Sequence, residues 1–168
     1  NVVEAAAAGA ADGLKLALNV GAMLIAFLGL VAVLDAALGL IHSGWSVKGG
    51  LAIAFYPIAA VMGVPGGEIP ALAQLLGTKI AVTELVAYSD LGPMIANQTI
   101  SPRTAMIASF ALCGFANIGS VAIQVGGLGA MAPERRGDLA KLGLRAMFGG
   151  AIATCMTACV AGVLGSEG

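Results

Sequence analysis

The stretch from Leu75 to Tyr88, LLGTKIAVTELVAY, places polar residues inside an otherwise apolar segment. A bilayer core of about 30 Å needs roughly 20 helical residues to cross it. The apolar flanks, Ile69–Val82 and Leu85–Ala96, supply only about 14 and 12 residues, or roughly 18–21 Å of helix. These lengths predict a segment that enters the membrane, turns at mid-depth and leaves by the same face, with Thr83 and Glu84 at its tip.

Composition decides the class of protein. Hydrophobic residues make up 59% of the 168 residues and charged residues only 10%, whereas a soluble domain usually carries about 25% charge. The chain is therefore predicted to be an integral membrane protein. Its net charge of −1 argues against nucleic acid as a partner, because no basic stripe is present to release counterions. An acid at mid-membrane costs about 2.5–3.5 kcal/mol when unpaired, so we predict that Glu84 holds a polar solute.

The predicted fold is an all-α membrane protein with spanning helices, a re-entrant helical hairpin and a broken transmembrane helix. The first part combines an alanine-rich amphipathic start with a long apolar helix, Leu14–Ile41, and the second part is an interfacial helix. The third part contains three membrane elements. The predicted parts are residues 1–50, 51–66 and 67–168, the last containing the hairpin 67–97, the interrupted helix 102–131 and the last helix 138–164.

A second polar interruption is the sequence CGFANIGS, residues 113–120. Its glycines predict a locally unwound helix, and Asn117 and Ser120 share one helix face. Discontinuous helices near the middle of a bilayer expose half-helix ends to a solute. A carboxylate accepts hydrogen bonds from neighbouring hydroxyls, and an amide both donates and accepts. Glu84, Asn117 and Ser120 are therefore predicted to bind an array of sugar hydroxyls, although these residues alone do not name the sugar.

The segment from Ala132 to Arg145 holds four of the eight basic residues. Loops rich in Lys and Arg stay in the cytoplasm, so this loop (132–145) is predicted to be cytoplasmic and the C-terminus to lie outside. The protein is predicted to pass several times through the inner or plasma membrane of the cell. It begins at Asn1 without methionine or a signal peptide, which favours a fragment or one half of a longer protein.

Three stretches, GLKLALNVGAMLIAF, LLGTKIAVTELVAYSDL and GFANIGSVAIQVGGLGAMAPERR, resemble the C-terminal half of the concentrative nucleoside transporters. The resemblance covers nearly the whole chain. It implies a homotrimer that imports nucleosides together with Na⁺ or H⁺ by an elevator movement. It also implies ribose contacts from Glu84, Asn117 and Ser120, and an aromatic residue, Phe115, beside the base. By the same resemblance, Leu14–Ile41 corresponds to a scaffold helix near the trimer axis.

Two departures from the family pattern limit what the resemblance implies. The family usually has Asn-Glu where this chain has Thr83-Glu84, so a donor amide becomes a hydroxyl at a position beside the substrate. The first hairpin and its neighbouring helix, which supply the base contacts and the cation ligands in the family, are absent from these residues. We therefore predict no cofactor or metal site in this chain, and a coupling-ion site in an N-terminal half that acts as its partner.

Other interpretations of the same residues stay open. Glu84 could pair with Lys79, although five residues is a poor facing distance on a helix; otherwise Lys79 snorkels or stabilises the hairpin. Asn117 and Ser120 could join helices by hydrogen bonds worth about 0.6 kcal/mol each. The chain is not predicted to be an enzyme, because HExxH and GxSxG motifs are missing. The remaining alternatives are a non-transporting membrane subunit and a transporter-like protein for another small hydroxylated solute.

Overall fold

The computed structural model describes residues 1–165, with every side chain in that range except those of residues 23, 27, 130 and 131. These residues form helices joined by short turns, and no strand occurs among them, as the predicted all-α class requires. Short 3₁₀ turns at Gly66–Glu68 and Pro133–Arg135 precede the third and seventh α-helices. In chain order the α-helices are α1 (Val2–Ile41), α2 (Val47–Val61), α3 (Ile69–Ala81), α4 (Glu84–Ala96), α5 (Pro102–Leu112), α6 (Ile118–Met131) and α7 (Arg136–Leu164).

Helix α1 is a single helix of 40 residues. It begins at Val2 rather than at Leu14, so the alanine-rich start and the long apolar helix are continuous. Two causes act together: alanine has the highest helix propensity, and Asn1 and Glu4 form a capping box in which the Asn1 side chain accepts from the Glu4 N–H at 2.8 Å. Most of the described side chains on α1 are exposed.

Helix α2 begins at Val47, before the expected boundary at residue 51. Its first turn has two side-chain acceptors: Ser46 Oγ accepts from the Gly49 N–H at 3.0 Å, and Asp35 Oδ1 on α1 accepts from the Val47 N–H at 2.7 Å. Both satisfy donors that a helix N-terminus leaves free. The helix packs closely along α3, because Gly77 has no side chain: a Cβ there would lie 2.8 Å from the Lys48 carbonyl oxygen.

Two pairs of short helices form the centre of the molecule. Helices α3 and α4 are separated only by Val82 and Thr83, and α5 and α6 by residues 113–117. Helix α3 is the more buried arm of the first pair. The main hydrophobic core lies between α3, α5 and α7, with fully buried side chains at Leu72, Leu75, Leu76, Ile107 and Leu112.

The turn before α3 is joined to the start of α5 through Glu68. Its Oε2 accepts from the Ser101 N–H at 3.1 Å and from the Ser101 hydroxyl at 2.9 Å. Burial acts to raise the pKa of the Glu68 carboxyl, but hydrogen bonds from Thr104 and Ser101 outweigh it and hold that pKa below its ordinary value of 4.5. The carboxylate therefore caps α5 and fixes its start against the turn before α3.

By length and composition alone, two helices within residues 1–165 are suited to crossing a membrane: α1 and the segment Pro133–Leu164, which contains α7. Helices α2 and α6 are apolar but shorter. Helix α7 starts at Arg136, two residues before the expected position 138. The expected location of the C-terminus concerns residues 166–168, which lie outside the described residues.

Candidate functional site

Glu84 and Asn117 belong to different helix pairs and are in direct contact. The Asn117 amide donates from Nδ2 to Glu84 Oε2 at 3.0 Å. Asn117 is fully buried, whereas Glu84 is half-buried. The structure thus brings together the two polar interruptions that the sequence analysis singled out, with the amide on the closed side and the carboxylate on the side that opens to the surroundings.

Glu84 owes its position to the start of α4. Thr83 is the N-cap of this helix, with extended backbone, and its Oγ1 accepts from the Val86 N–H at 3.3 Å. Glu84 is the first helical residue, where the positive end of the helix dipole stabilises a carboxylate. The hydroxyl at position 83 therefore has a defined structural role, since threonine is a favourable N-cap residue.

Asn117 and Ser120 form the start of α6. Asn117 Oδ1 accepts from the Ser120 N–H at 2.7 Å, and Ser120 Oγ accepts from the Asn117 N–H at 3.1 Å. This is a reciprocal capping box. The Ser120 hydroxyl also donates to the Asn117 carbonyl oxygen at 2.6 Å. Ser120 is only 3% exposed, so it orients Asn117 and has less freedom to meet a solute than Glu84 has.

Phe115 lies in the link between α5 and α6 and leaves 47% of its surface exposed. It lines a cavity of about 390 Å³ between α6 and α7, together with Ser120, Gln124 and Thr154. Glu84 and Asn117 do not line this cavity. The structure therefore places Phe115 in the same cavity as Ser120, and Glu84 lies outside the lining of that cavity. Gln124 was not singled out from the sequence, although it follows Ser120 by four residues and so shares its helix face.

A larger cavity, of about 730 Å³, lies between α1 and the helices α6 and α7. Its lining is mostly apolar, and it contains none of the five predicted site residues, Thr83, Glu84, Phe115, Asn117 and Ser120. Volume alone therefore does not single out the residues that the sequence predicts as a site.

The sequence offered two interpretations of Lys79, snorkelling or stabilisation of the hairpin, but it did not predict the partners of this side chain. The snorkelling interpretation is wrong, because the side chain is only 1% exposed. Its Nζ donates to the Ala111 carbonyl oxygen at 2.8 Å and to Thr154 Oγ1 at 3.0 Å. No salt bridge joins it to Glu84 in the part of the chain that the structure describes. Its partners are 32 and 75 residues away in sequence, and no local pattern signals such distant contacts.

The four helix ends at the centre are arranged by polarity. The N-termini of α4 and α6 meet at Glu84 and Asn117, and each N-terminus is equivalent to roughly half a positive charge. The C-terminal turn of α3 carries Lys79, and the same ammonium reaches a carbonyl in the last turn of α5. A carboxylate thus lies where two positive ends meet, and a basic side chain from the last turn of α3 binds the negative end of α5.

Part of the hydrogen-bonding capacity of the site is unused among the described residues. Glu84 Oε1 accepts no hydrogen bond, one Asn117 Nδ2 hydrogen is free, and the Thr83 hydroxyl accepts from Val86 without donating. An ionised carboxylate accepts from both oxygens, while an amide nitrogen offers two donors. Glu84 can therefore accept hydrogen bonds from the hydroxyls of a solute, and Asn117 and Thr83 can donate hydrogen bonds to that solute. Within residues 1–165, no three His, Cys, Asp or Glu side chains are grouped to hold a metal ion.

Comparison with known proteins identifies the family. A family model described as "Na+ dependent nucleoside transporter C-terminus" matches residues 1–162. An uncharacterized transporter of Bacillus subtilis, YutK, is 46% identical over 168 residues, which cover 97% of this chain and 41% of that protein. Sodium/nucleoside cotransporter 1 of Mus musculus is 38% identical over 185 residues, which cover 98% of this chain and 28% of that protein.

A solved structure agrees with these matches. A CNTnw variant in the state called intermediate 2 has a TM-score of 0.91 and 42% sequence identity, over 98% of this chain and 42% of that one. The chain thus spans less than half the length of the relatives it matches. The resemblance found in the sequence is confirmed, and so is the prediction that the chain is not an enzyme, because the family consists of transporters. The chain belongs to the family of Na⁺-dependent nucleoside transporters and corresponds to their C-terminal region.

Proposed function

We propose that this chain is the C-terminal part of a secondary active transporter that imports nucleosides together with Na⁺ or H⁺. Family membership over residues 1–162 supports this proposal. The name of the mouse relative, a sodium/nucleoside cotransporter, supports both the solute and the kind of coupling. The required partners are an N-terminal half of the same transporter, two further copies in a homotrimer and the lipid bilayer of the cell membrane.

The solute site is proposed at the contact between Glu84 and Asn117. The single observation that carries this assignment is the hydrogen bond of 3.0 Å between a half-buried carboxylate and a fully buried amide, each at the start of a short helix. Glu84 Oε1 and Oε2 accept from the vicinal hydroxyls of a ribose, which matches two acceptors with two donors. The charge of Glu84 stays favourable because two helix N-termini face it.

The other site residues take complementary roles. Asn117 donates its free Nδ2 hydrogen to a ribose oxygen, and Thr83 donates its hydroxyl, which serves where an amide is usual in the family. Ser120 holds Asn117 in place through the capping box and completes the sugar contacts. Phe115 lies beside the base, and its exposed ring supports this role because an aromatic face stacks on a flat heterocycle.

The two pairs of short helices are proposed to meet at mid-membrane. Helices α3 and α4 have 13 residues each, or roughly 20 Å at 1.5 Å per residue, which is too short to cross and favours a re-entrant hairpin. The long exposed helix α1 is the scaffold at the trimer axis, past which residues 67–168 move as an elevator. The loop 132–145 faces the cytoplasm because of its basic residues, so the C-terminus lies outside.

The coupling ion is proposed to bind in the N-terminal half. The proposed solute site contributes one carboxylate, Glu84, and this group is engaged with Asn117. A cation bound in the N-terminal half raises the affinity for the solute, because it orders the residues of that half that complete the site.

Replacing Glu84 in the complete transporter tests the proposal. Glu84→Gln keeps the shape of the side chain but removes the charge, and a hydrogen bond to a charged group is worth about 1.5–3 kcal/mol against about 0.5–1.5 kcal/mol for a neutral one. Saturable uptake of labelled uridine and adenosine is expected to be lost, while the protein reaches the membrane and assembles as a trimer. The matched control is Glu4→Gln, whose side chain is 82% exposed near the start of α1 and whose uptake is expected to equal that of the parent.

Normal uptake by the Glu84→Gln variant would remove Glu84 from the solute site. Loss of uptake in both variants would place the effect on assembly rather than on binding. Competition by free ribose, by uracil and by non-sugar polyols separates a nucleoside carrier from a carrier of another hydroxylated solute. Measuring uptake with and without Na⁺ identifies the coupling ion.

A further inference from the structure

We propose that Lys79 is a positioning residue of the solute site: its ammonium fastens the hairpin to the end of α5 and to α7, and so sets the distance between Glu84 and Asn117. This inference rests on the proposed function, because Glu84 and Asn117 are the groups that it positions. Lys79 itself touches neither of them through a hydrogen bond or a salt bridge within the described residues.

Burial shows that the Lys79 side chain is held in place. Lysine is almost never fully buried unless it is paired, and an isolated ammonium is costly to remove from water. Lys79 is 1% exposed and is the largest of the fully buried side chains. Its position is stable only with the two acceptors it has, the Ala111 carbonyl and the Thr154 hydroxyl. Because its ammonium is bound by both acceptors, the otherwise flexible Lys79 side chain is held in one position and connects α3 to α5 and α7.

The first acceptor, the Ala111 carbonyl, lies at a helix C-terminus, where a positive charge is stabilising. Ala111 is in the last turn of α5, which ends at Leu112, and the last carbonyls of a helix have no partner within that helix. A cation at a helix C-terminus is also favoured by the helix dipole. The Nζ–O distance of 2.8 Å is that of a strong, charge-assisted hydrogen bond. Lys79 therefore determines where α5 stops and the link to α6 begins.

The second acceptor extends the connection to α7. Thr154 Oγ1 accepts from Lys79 and donates to the Ala151 carbonyl oxygen at 2.9 Å, so its hydroxyl is oriented by its own helix. Gly114 permits this approach: it has φ +155°, and a Cβ there would lie 2.6 Å from Thr154 Cγ2 and 3.8 Å from Lys79 Nζ. The link between α5 and α6 therefore passes directly beside the contact between Lys79 and Thr154.

Only short segments of chain separate Lys79 from Glu84 and Ala111 from Asn117. Lys79 precedes Glu84 in the hairpin, separated from it by the turn at Val82 and Thr83, and Ala111 precedes Asn117 across the link after α5. Joining Lys79 to Ala111 therefore holds the two links side by side, and Glu84 and Asn117 lie at the far ends of these links. Since the ammonium binds a carbonyl and a hydroxyl instead of the carboxylate, Glu84 keeps its charge available for a solute.

The test compares three variants of the complete transporter. Lys79→Met removes every donor while keeping an unbranched chain, Thr154→Val removes one acceptor at nearly constant volume, and Lys15→Met removes a lysine that is 77% exposed. For Lys79→Met, the uridine concentration that gives half-maximal uptake is expected to rise by at least about tenfold, with maximal uptake per trimer much less affected. Thr154→Val is expected to raise it by about threefold, and Lys15→Met to leave it unchanged.

A second readout measures position without a solute. Spin labels at Leu85→Cys and Ile118→Cys, which follow Glu84 and Asn117 directly, report the separation of the two helix starts once Cys113, Cys155 and Cys159 have been replaced by alanine. The distance distribution is expected to be narrow in the parent and in the Lys15→Met variant. It is expected to broaden or shift in the Lys79→Met and Thr154→Val variants. If Lys79→Met does not accumulate, Thr154→Val and its distance distribution decide the question.

The outcomes separate this inference from the proposed function. An unchanged distance distribution in both the Lys79→Met and Thr154→Val variants overturns the positioning role, whatever happens to uptake. A lower maximal uptake with an unchanged half-maximal concentration also overturns it, since that pattern reflects only the amount of folded protein. Normal uptake by Glu84→Gln, together with a broadened distribution in Lys79→Met, would overturn the proposed solute site and leave the structural effect of Lys79 intact.

Discussion

Helix α1 and the central contact between the two short helix pairs differ in what determines their structure. Helix α1 has 40 residues and most of its described side chains are exposed, including large apolar ones such as Ile25 and Leu40. The centre is smaller, yet it buries Lys79, Asn117 and Ser120 almost completely and satisfies each with hydrogen bonds. Length and hydropathy are therefore enough to specify α1, whereas the centre depends on individual side-chain pairs.

The difference teaches where substitutions matter. Most of the described α1 side chains are exposed, so one apolar residue is expected to replace another there at low cost. At the centre each polar group has a named partner, and removing one partner leaves the other buried and unsatisfied, which costs about 1–3 kcal/mol. The same chemical change should therefore have very different effects in the two regions, and three matched pairs of variants test this contrast.

The largest contrast is expected for asparagine. Asn117→Ala removes the hydrogen bond to Glu84 and the cap of α6, which together are worth roughly 2–4 kcal/mol. Uridine uptake by the complete transporter is expected to fall about 100-fold, and ribonucleosides are expected to lose more affinity than free nucleobases in a competition assay. Asn19→Ala makes the same change on α1 and is expected to have little effect. Equal losses for uridine and uracil would show that Asn117 is only structural.

A medium contrast is expected for glycine. A Cβ at Gly77 would lie 2.8 Å from the Lys48 carbonyl oxygen and 2.9 Å from the Ala52 nitrogen, both rigid backbone atoms. Gly77→Ala is therefore expected to destabilise the purified transporter by about 1–3 kcal/mol, seen as a lower unfolding temperature. Gly21→Ala on α1 meets nothing within 4 Å and should be neutral or slightly stabilising, since alanine is the better helix former. A loss of stability in the Gly21→Ala variant would show that a further surface packs tightly on α1.

The smallest contrast concerns acid stability. The pKa of Glu68 in the folded chain lies below the ordinary value of 4.5, so its stabilising effect is fully present above that pH and is lost as the pH falls through the folded pKa. Unfolding temperature is expected to drop on acidification below pH 4.5 by less in Glu68→Gln than in the parent, because the variant has already lost the ionised cap. Glu4→Gln is the control on α1, and an acid response of Glu68→Gln equal to that of the parent would contradict the role given to Glu68.

The sequence was a good guide wherever one local pattern decides the outcome. The short apolar flanks around Thr83 and Glu84 indicate two short helices, and the cluster CGFANIGS indicates an interrupted one; the structure has both features. The expectation that both interruptions lie at the same depth assigned Glu84 and Asn117 to one site, and the structure joins the two side chains by a hydrogen bond. The start of α1 was also readable in principle, since Asn1 and Glu4 have capping-box spacing.

Distant contacts were outside the reach of sequence reasoning. Lysine in an apolar run normally extends toward the membrane surface, and nothing near Lys79 indicates that Ala111 and Thr154 will surround it. The early start of α2 depends in the same way on Asp35, which lies on a different helix. The position of Phe115 in one cavity with Ser120 and Thr154 depends on how α7 packs against α6. These features are determined by tertiary packing, and a single sequence taken by itself contains no record of it.

The double engagement of Asn117 has a consequence for how such a protein changes over evolutionary time. The same amide begins α6 through its oxygen and reaches Glu84 through its nitrogen, so the proposed recognition of the solute and the folding of α6 depend on one position. Aspartate or serine would still begin the helix, but aspartate would repel the neighbouring acid and serine would be too short to reach it. New solute preferences are therefore expected to arise at neighbours such as Gln124, which lies inside α6, where a change of ligand does not also remove the start of a helix.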